Sequence, residues 1–307
     1  MPDVENAADL SAEIRVLAAD RGALVVAHNY QRAEVQDVAE FTGDSLGLSR
    51  EAAATEAEVI VFAGVHFMAE TAKILAPAKR VLLPEPRAGC PMADMVTGEE
   101  LRAWKAEHPG VPVVTYVNSS AEVKAESDVC CTSANAVAVV RALGAERILF
   151  APDKNLGSWV ARSLPGVEVL VWEGWCPTHH QVAPEQVAAA REAHPDAKVI
   201  AHPECRPEVV DLADAVLSTS QMLAYAAENP ASEFIVVTET GLIHGLEKAA
   251  PGKVFHELSP RMICPNMKLT TLEKVRDALL LDRYPVEVPE DVAARARAAV
   301  ERMVAIG

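Results

Sequence analysis

The sequence predicts an α/β fold built from three αβα repeats, related by pseudo-threefold symmetry and with parallel sheets around a central cavity, plus terminal helices. Two observations predict this architecture. One pattern of polar residues and cysteines recurs three times along the chain at nearly constant spacing. Within each copy, short apolar runs alternate with segments of helical spacing, which is typical of parallel sheets covered by helices on both faces.

The repeat is defined by columns of matched residues. The first column holds His28, Tyr116 and His202, which are separated by 88 and then 86 residues. Three further columns keep these two spacings: Tyr30, Asn118 and Glu204; Glu34, Glu122 and Glu208; Ser45, Ser133 and Thr219. A cysteine column is spaced by 86 and then 88 residues, and a proline follows each member: Cys90, Cys176 and Cys264. Self-similarity at one period indicates a triplicated structural unit.

Domain boundaries follow from this register. We predict an N-terminal helix over 1–23, α/β repeats over 24–97, 98–183 and 184–270, and C-terminal helices over 271–307. In the first repeat the predicted strands are ALVVAH, VIVFAG and RVLLP, and helices are expected from Asp44-Ser45 to Ala54 and from Met68 to Leu75. Strands of the later repeats include ERILFAP, VEVLVW, EFIVVTE and KVFHEL. The end helices, the last with Pro289 at its start, are expected to pack against the outer repeats.

Composition excludes several classes of function. The 307 residues carry 28 Lys+Arg against 44 Asp+Glu, a formal charge of −16, which disfavours binding to nucleic acid. The first residues, MPDVENAADL, lack the features of a signal peptide, and no apolar run approaches the ~18–20 residues of a membrane span. We therefore expect a cytoplasmic protein whose six cysteines serve as metal ligands, catalytic thiols or core residues rather than disulfides.

The cysteine column predicts a metal centre. Pseudo-threefold packing would bring Cys90, Cys176 and Cys264 to one axis, where three thiolates favour a soft metal. Structural zinc normally takes four ligands, and the sequence has no C-x-x-C pair. A [4Fe–4S] cluster held by three cysteines would leave one iron open as a Lewis acid. Three cysteines fall outside the column and are expected in the core: Cys130, Cys131 and Cys205.

The repeated polar residues predict a catalytic site at the same axis. The pairs His28/Tyr30, Tyr116/Asn118 and His202/Glu204 each follow or end a strand, and their i, i+2 spacing points both side chains the same way. As a set they could move several protons, with Glu204 as the general base, although each pair could instead satisfy loop backbone.

A third column predicts anion binding. Ser45, Ser133 and Thr219 precede helices, where they could cap the helix and where three N-termini could bind a phosphate-bearing substrate. His179 lies in the Cys176 loop, and its neighbour His180 is expected to be solvated.

With these residues placed, the sequence resembles the quinolinate synthase family, the iron–sulfur enzymes of bacterial NAD biosynthesis. The resemblance runs from about Leu24 to Thr271. It rests on AHNYQ, GDSLGLS, AGCPMADM, TYVNSSAEVKAESD, CTSAN, WCPTHH, AHPEC, STSQM and ICPNMKLTTL. It implies three pseudo-symmetric α/β domains around a cavity with one [4Fe–4S] cluster on Cys90, Cys176 and Cys264. Because ICPNMK has one cysteine where some relatives have three, a regulatory disulfide is not expected there.

The resemblance also implies a reaction, which is the condensation of iminosuccinate (iminoaspartate) with dihydroxyacetone phosphate to quinolinate, with loss of phosphate and two waters. An L-aspartate-oxidising enzyme would supply the iminosuccinate. The implied substrate contacts are His28, Ser45, Tyr116, Asn118, Ser133, His179, His202, Glu204 and Thr219. The implied proton-transfer residues are Tyr30, Tyr116, His202 and Glu204.

Two alternatives remain at this point. One is another enzyme on the same three-cysteine scaffold, of the type that acts in diphthamide biosynthesis by cleaving S-adenosylmethionine; AHNYQ and AHPEC speak against it. The other is a non-catalytic iron–sulfur redox sensor, in which the repeated His, Tyr, Glu and Ser residues would have no purpose.

Overall fold

Three parallel sheets organise the computed structural model, which describes residues 4–306. The first contains β1 (Ala23–His28), β2 (Phe41–Gly43), β3 (Val59–Ala63) and β4 (Arg80–Leu82). The second contains β5 (Val113–Tyr116), β6 (Val129–Cys131), β7 (Arg147–Ala151) and β8 (Glu168–Val171). The third contains β9 (Lys198–Ala201), β10 (Ala215–Val216), β11 (Glu233–Val237) and β12 (Val254–Glu257). All three have the order second–first–third–fourth strand, so the predicted α/β fold with repeated units is confirmed.

Helices connect and cover these strands. Those before and within the first repeat are α1 (Val4–Asp20), α2 (Ala33–Val38), α3 (Ser45–Ala54) and α4 (His66–Leu75). The next are α5 (Gly98–Glu107), α6 (Ala121–Ala125), α7 (Ala136–Leu143), α8 (Lys154–Ser163) and α9 (Pro177–His180). The third sheet is accompanied by α10 (Pro184–Ala193), α11 (Pro207–Val210), α12 (Thr219–Glu228) and α13 (Leu242–Ala249), and the chain continues through α14 (Leu272–Leu281) and α15 (Glu290–Ala305). Within residues 4–306, no helix combines the length and apolar character that a bilayer span requires.

The terminal helices pack against the repeats, as the sequence predicts. Leu10 and Ile14 of α1 share a buried apolar cluster with Val275 and Leu279 of α14 and with β1 and β3. The last helix, α15, contributes Val300 and other residues to the large cluster that joins all three sheets. Burial of this apolar surface is what holds the ends of the chain in place.

Short edge strands are the main departure from the predicted elements. We predicted no strand over β2, β6 or β10, and each pairs with the first strand of its repeat: β1, β5 or β9. The boundaries drawn between the repeats stay a prediction.

The capping residues differ from those that the sequence suggested. Asp44 accepts a hydrogen bond from the Gly47 N–H at 2.9 Å at the start of α3. Ser218 caps α12 in a capping box with Gln221. The caps therefore lie one residue before Ser45 and Thr219, and capping by those two residues is wrong. Both instead occupy the first helical position.

We expect Ser218→Ala to lower the melting temperature. The Ser218 hydroxyl accepts from the Gln221 N–H at 3.4 Å and donates to Asp44 Oδ2 at 3.1 Å, which links the starts of α12 and α3. Loss of a cap costs about 0.5–2 kcal/mol, and each kcal/mol shifts the melting temperature by about 2 °C in a large domain. Ser163→Ala, which removes only a bond to the Trp159 carbonyl within α8, should change it less, as measured by circular dichroism. Equal shifts would contradict the capping role.

Candidate active site

One cavity is lined by residues from all three repeats. Every residue that the sequence singled out for the site lines it: His28, Tyr30, Ser45, Cys90, Tyr116, Asn118, Ser133, Cys176, His179, His202, Glu204, Thr219 and Cys264. Their roles remain predictions, but their convergence on one space is a property of the fold.

Sheet topology explains the convergence. His28 and Tyr116 end β1 and β5, and His202 directly follows β9. Ser45, Ser133 and Thr219 follow the short second strand of each sheet by two or three residues. Because all the strands are parallel, these positions lie at the carboxyl edge of their sheets, where α/β proteins bind ligands.

Glu204 is the centre of a buried hydrogen-bond network. Its Oε1 accepts from the Tyr116 hydroxyl at 2.6 Å, and its Oε2 lies 2.7 Å from His179 Nδ1. Only 3% of Glu204 is exposed. Burial alone would raise the pKa of Glu204, but the neighbouring His179 and the hydrogen bond from Tyr116 hold this pKa below its usual range. Glu204 is therefore an ionised carboxylate in a buried site.

The two strand-end histidines are neutral and share a tautomer. Burial lowers the pKa of His28 to about 4 and that of His202 to about 3. His28 Nδ1 accepts from the Tyr30 N–H at 3.1 Å, and His202 Nδ1 accepts from the Glu204 N–H at 3.3 Å. The proton of each neutral ring consequently lies on Nε2, and His202 Nε2 is 3.2 Å from Ser133 Oγ.

The two cavity tyrosines are protonated and hydrogen-bonded. Burial, reinforced by the charge of Glu204, raises the pKa values of Tyr30 and Tyr116 well above the usual range. The Tyr30 hydroxyl lies 2.5 Å from Thr238 Oγ1, which in turn lies 2.9 Å from His179 Nε2. A continuous chain of polar atoms thus joins Tyr30 through Thr238 and His179 to Glu204.

The three column cysteines have the same local backbone. Each carbonyl accepts a hydrogen bond from the N–H four residues later, in a short helical turn: Cys90 from Asp94, Cys176 from His180 and Cys264 from Lys268. Burial raises the pKa of Cys90 to about 12 and also raises those of Cys176 and Cys264. Backbone N–H groups two or three residues further along oppose this rise in all three loops, because they hydrogen-bond the sulfur.

Two buried carboxylates behind the cysteines were missed by the sequence analysis. Asp153 Oδ2 accepts from the Cys176 N–H at 3.2 Å. Glu239 Oε1 accepts from the Cys264 N–H at 3.0 Å and is 3.0 Å from Lys268 Nζ. Asp153 and Glu239 are 86 residues apart, so the repeat register carried a signal for them. The first repeat has Val65 at this position, which obscured the column.

Outside the column, the cysteines are core residues. Cys130, Cys131 and Cys205 are at most 1% exposed and belong to apolar clusters, as predicted. His180, which was expected to be solvated, is partly exposed, and its ring lies 3.1 Å from Asn155 Nδ2 and packs against Trp175. In the cavity itself, Cys176, His179 and Glu204 form a group that could hold a metal ion, with ligand atoms within 4.8 Å of one another.

The family follows from comparison with known proteins. The model of the family described as "Quinolinate synthetase A protein" (NadA) matches residues 12–305. The chain belongs to the quinolinate synthase family. A quinolinate synthase of Thermodesulfovibrio yellowstonii is 53% identical over 294 residues, which cover 96% of this chain and 97% of the relative. One of Methanoregula boonei is 55% identical over 303 residues, covering 99% and 100% of the two chains.

Membership of the quinolinate synthase family confirms the resemblance seen in the sequence and makes this chain an enzyme. A third relative, named quinolinate synthase 1, of Methanosarcina acetivorans, is 54% identical over 299 residues and 97% of this chain. Neither the diphthamide-type enzyme nor the non-catalytic sensor receives support from these matches.

Proposed function

We propose that this chain condenses iminosuccinate with dihydroxyacetone phosphate to quinolinate, with loss of phosphate and two waters. The observation that carries the proposal is the convergence of three cysteines and a buried His–Tyr–Glu network on one cavity in a member of the quinolinate synthase family.

The three cysteines fit a [4Fe–4S] cluster. All three residues line the cavity. There the charge of Cys264 helps to raise the pKa of Cys90, and the charge of Cys90 helps to raise the pKa of Cys176. N–H groups directed at each sulfur are the hydrogen bonds that tune such clusters. When bound, the cluster supplies an iron without a protein ligand, which acts as a Lewis acid for a substrate oxygen.

The serine and threonine column supports binding of the substrate phosphate. The Thr219 hydroxyl accepts from Asn29 Nδ2 at 2.8 Å, and that of Ser133 accepts from His202 Nε2. Since both oxygens already accept a hydrogen bond, their own O–H groups are free to donate to an anion. Ser45 and Thr219 are the first residues of α3 and α12, so the N-termini of both helices border the cavity.

Proton transfer is assigned to the buried network. Among the described residues that line the cavity, Glu204 is the only carboxylate hydrogen-bonded to both a phenol and an imidazole, and it serves as the general base. Tyr116 donates to it directly, and His202 carries its Nε2 proton beside Ser133. Tyr30 supplies a proton to substrate, with the Thr238–His179 chain as the return path to Glu204.

The test is a reconstitution assay. Anaerobically purified protein is incubated with iminosuccinate and dihydroxyacetone phosphate, and quinolinate is identified by mass spectrometry. We expect quinolinate and one phosphate per turnover. Protein that contains an intact cluster but forms no quinolinate would overturn the proposal, and cleavage of S-adenosylmethionine by the same sample would favour the diphthamide-type alternative.

We expect Tyr30→Phe to lower turnover by about 10²-fold, the usual contribution of one proton-transfer group. The substitution removes the hydroxyl beside Thr238 and leaves the ring that packs edge-on against His28. Tyr225→Phe is the matched control, because Tyr225 packs against Phe234 and does not line the cavity. Initial rates of quinolinate formation measure the effect, and equal rates in both variants would remove Tyr30 from the mechanism.

We also propose a cytoplasmic location, small-molecule substrates only, and a functional link to an L-aspartate-oxidising enzyme that supplies iminosuccinate. Support comes from the acidic composition, with its formal charge of −16, which disfavours nucleic acid. The reducing environment of the cytoplasm also suits a site with three free thiols.

A further inference from the structure

A second cluster of metal-ligating side chains lies on the third sheet, outside the active-site cavity. His194 directly follows α10, Glu233 begins β11, and His256 lies in β12 at the sheet edge. The parallel register pairs Glu233 with Val254 and Ile235 with His256, which places Glu233 and His256 on one face. None of the three residues lines the cavity.

The cluster has the dimensions of a metal site. His256 Nε2 is 3.0 Å from Glu233 Oε2, and one ligand atom from each of the three residues lies within 4.8 Å of the other two. Two ligand atoms bound to one tetrahedral zinc ion lie roughly 3.3 Å apart. The Glu233 Oε2 and His256 Nε2 atoms therefore already have a separation that suits two ligands of one zinc ion. A small movement of His194 would bring the third ligand atom to the same distance.

The two imidazoles lie side by side. The rings of His194 and His256 are stacked with centroids 3.6 Å apart and planes inclined by 18°. The side chains of His256 and Glu233 are 22% and 37% exposed, which leaves the site open to ions from solvent.

We propose that His194, Glu233 and His256 bind one borderline divalent cation, of which Zn²⁺ is the representative. Two imidazole nitrogens and one carboxylate oxygen suit Zn²⁺, Ni²⁺ or Cu²⁺, whereas Mg²⁺ and Ca²⁺ prefer oxygen donors. With three protein ligands, a water completes a tetrahedron. The bound ion would join the end of α10 to β11 and to the edge strand β12, and so stabilise this side of the third repeat.

The chain contains a matched control site. His244 Nε2 lies 2.7 Å from Asp37 Oδ1, which gives the same imidazole–carboxylate pair on the surface. The third neighbour there is the ammonium of Lys248 rather than a second imidazole. A cation already occupies the position that a metal would need, so this pair is not expected to bind Zn²⁺.

The test compares zinc uptake by three proteins. Cluster-loaded wild-type chain, the His194→Ala/His256→Ala double variant and the His244→Ala control are titrated with zinc chloride by calorimetry, and melting temperatures are recorded with and without zinc. We expect the wild type and the control to bind one equivalent more than the double variant. Only these two should gain the corresponding rise in melting temperature. Zinc on active-site groups would be common to all three and cancels in the difference.

Equal stoichiometry and an equal thermal shift in the double variant would overturn the site. Should circular dichroism show that this variant folds poorly, the same comparison is made with Glu233→Gln, which keeps both imidazoles and the side-chain size. Loss of affinity in Glu233→Gln supports the site, and unchanged affinity rejects it. Because the readout is zinc binding, the result is independent of quinolinate formation.

Discussion

Replacing Cys90, Cys176 or Cys264 with alanine is expected to abolish the visible absorbance of the iron–sulfur cluster and quinolinate formation together. The three thiols line one cavity, and each lies in a loop with the same hydrogen-bonded turn. The remaining cysteines are buried in apolar clusters, so no fourth thiol within residues 4–306 could replace a lost ligand. Iron and sulfide content after anaerobic reconstitution, and the electron paramagnetic resonance spectrum of the reduced protein, measure the outcome.

The controls for this prediction are alanine variants of Cys130, Cys131 and Cys205. Each removes a sulfur from the core, which creates a small cavity and lowers stability, but the cluster and activity should be retained. The Cys205→Ala variant is the most informative control, because Cys205 directly follows Glu204 in the sequence. Loss of the cluster in that variant, with retention in Cys264→Ala, would mean that the repeat register assigns the wrong ligands.

The main strands and helices could be predicted because their apolar runs are local signals. β1, β3 and β11 are five or six residues long and almost wholly buried, so their sequences are continuous apolar stretches. The strands that we missed are two or three residues long. They exist because hydrogen bonding to a neighbouring strand fixes them, and a tertiary interaction of this kind leaves no periodicity in the sequence.

The site could be predicted to the extent that it repeats. Alignment of the three sequence copies groups the cysteines, the strand-end residues and the Ser/Thr hydroxyl residues into columns, and all of these residues line the cavity. Thr238 was missed because its contact with Tyr30 spans 208 residues and joins two different repeats. Register within a repeat carries no information about which side chains meet across repeats.

The caps show a related limit of sequence reasoning. Either residue of the Asp44-Ser45 pair, and of the Ser218-Thr219 pair, has the chemistry of an N-cap. Only the backbone conformation determines which of them caps the helix.

The second large effect is expected for Glu204→Gln, which should lower turnover by about 10²-fold or more, since it removes the general base while keeping side-chain size. The carboxylate now accepts a hydrogen bond from Tyr116 at 2.6 Å and lies 2.7 Å from His179. An amide can still accept from the phenol, but it cannot take a proton from substrate. Cluster content and melting temperature should change little, because the amide fills the same buried space.

Glu208→Gln is the matched control, since Glu208 is four residues away, exposed, and a member of a different repeat column. It makes the same change of charge outside the cavity and should leave turnover unaltered. The pH profile gives an independent readout: His179 and Tyr116 hold the pKa of Glu204 below its usual range, so the wild-type rate should show no acidic limb from this carboxylate near its ordinary pKa. Appearance of such a limb would contradict an ionised Glu204.

A fully active Glu204→Gln variant would place the base elsewhere, and the network identifies where to look. Tyr30 is connected to the same imidazole through Thr238, so it is the first alternative. Burial and the charge of Glu204 both raise the pKa of Tyr30. Neutralising Glu204 removes the second effect and makes the Tyr30 phenol more acidic. Under that alternative, the Glu204→Gln variant would keep its rate at neutral pH, and adding Tyr30→Phe would abolish it. Under the proposed mechanism, Glu204→Gln alone is sufficient for the loss.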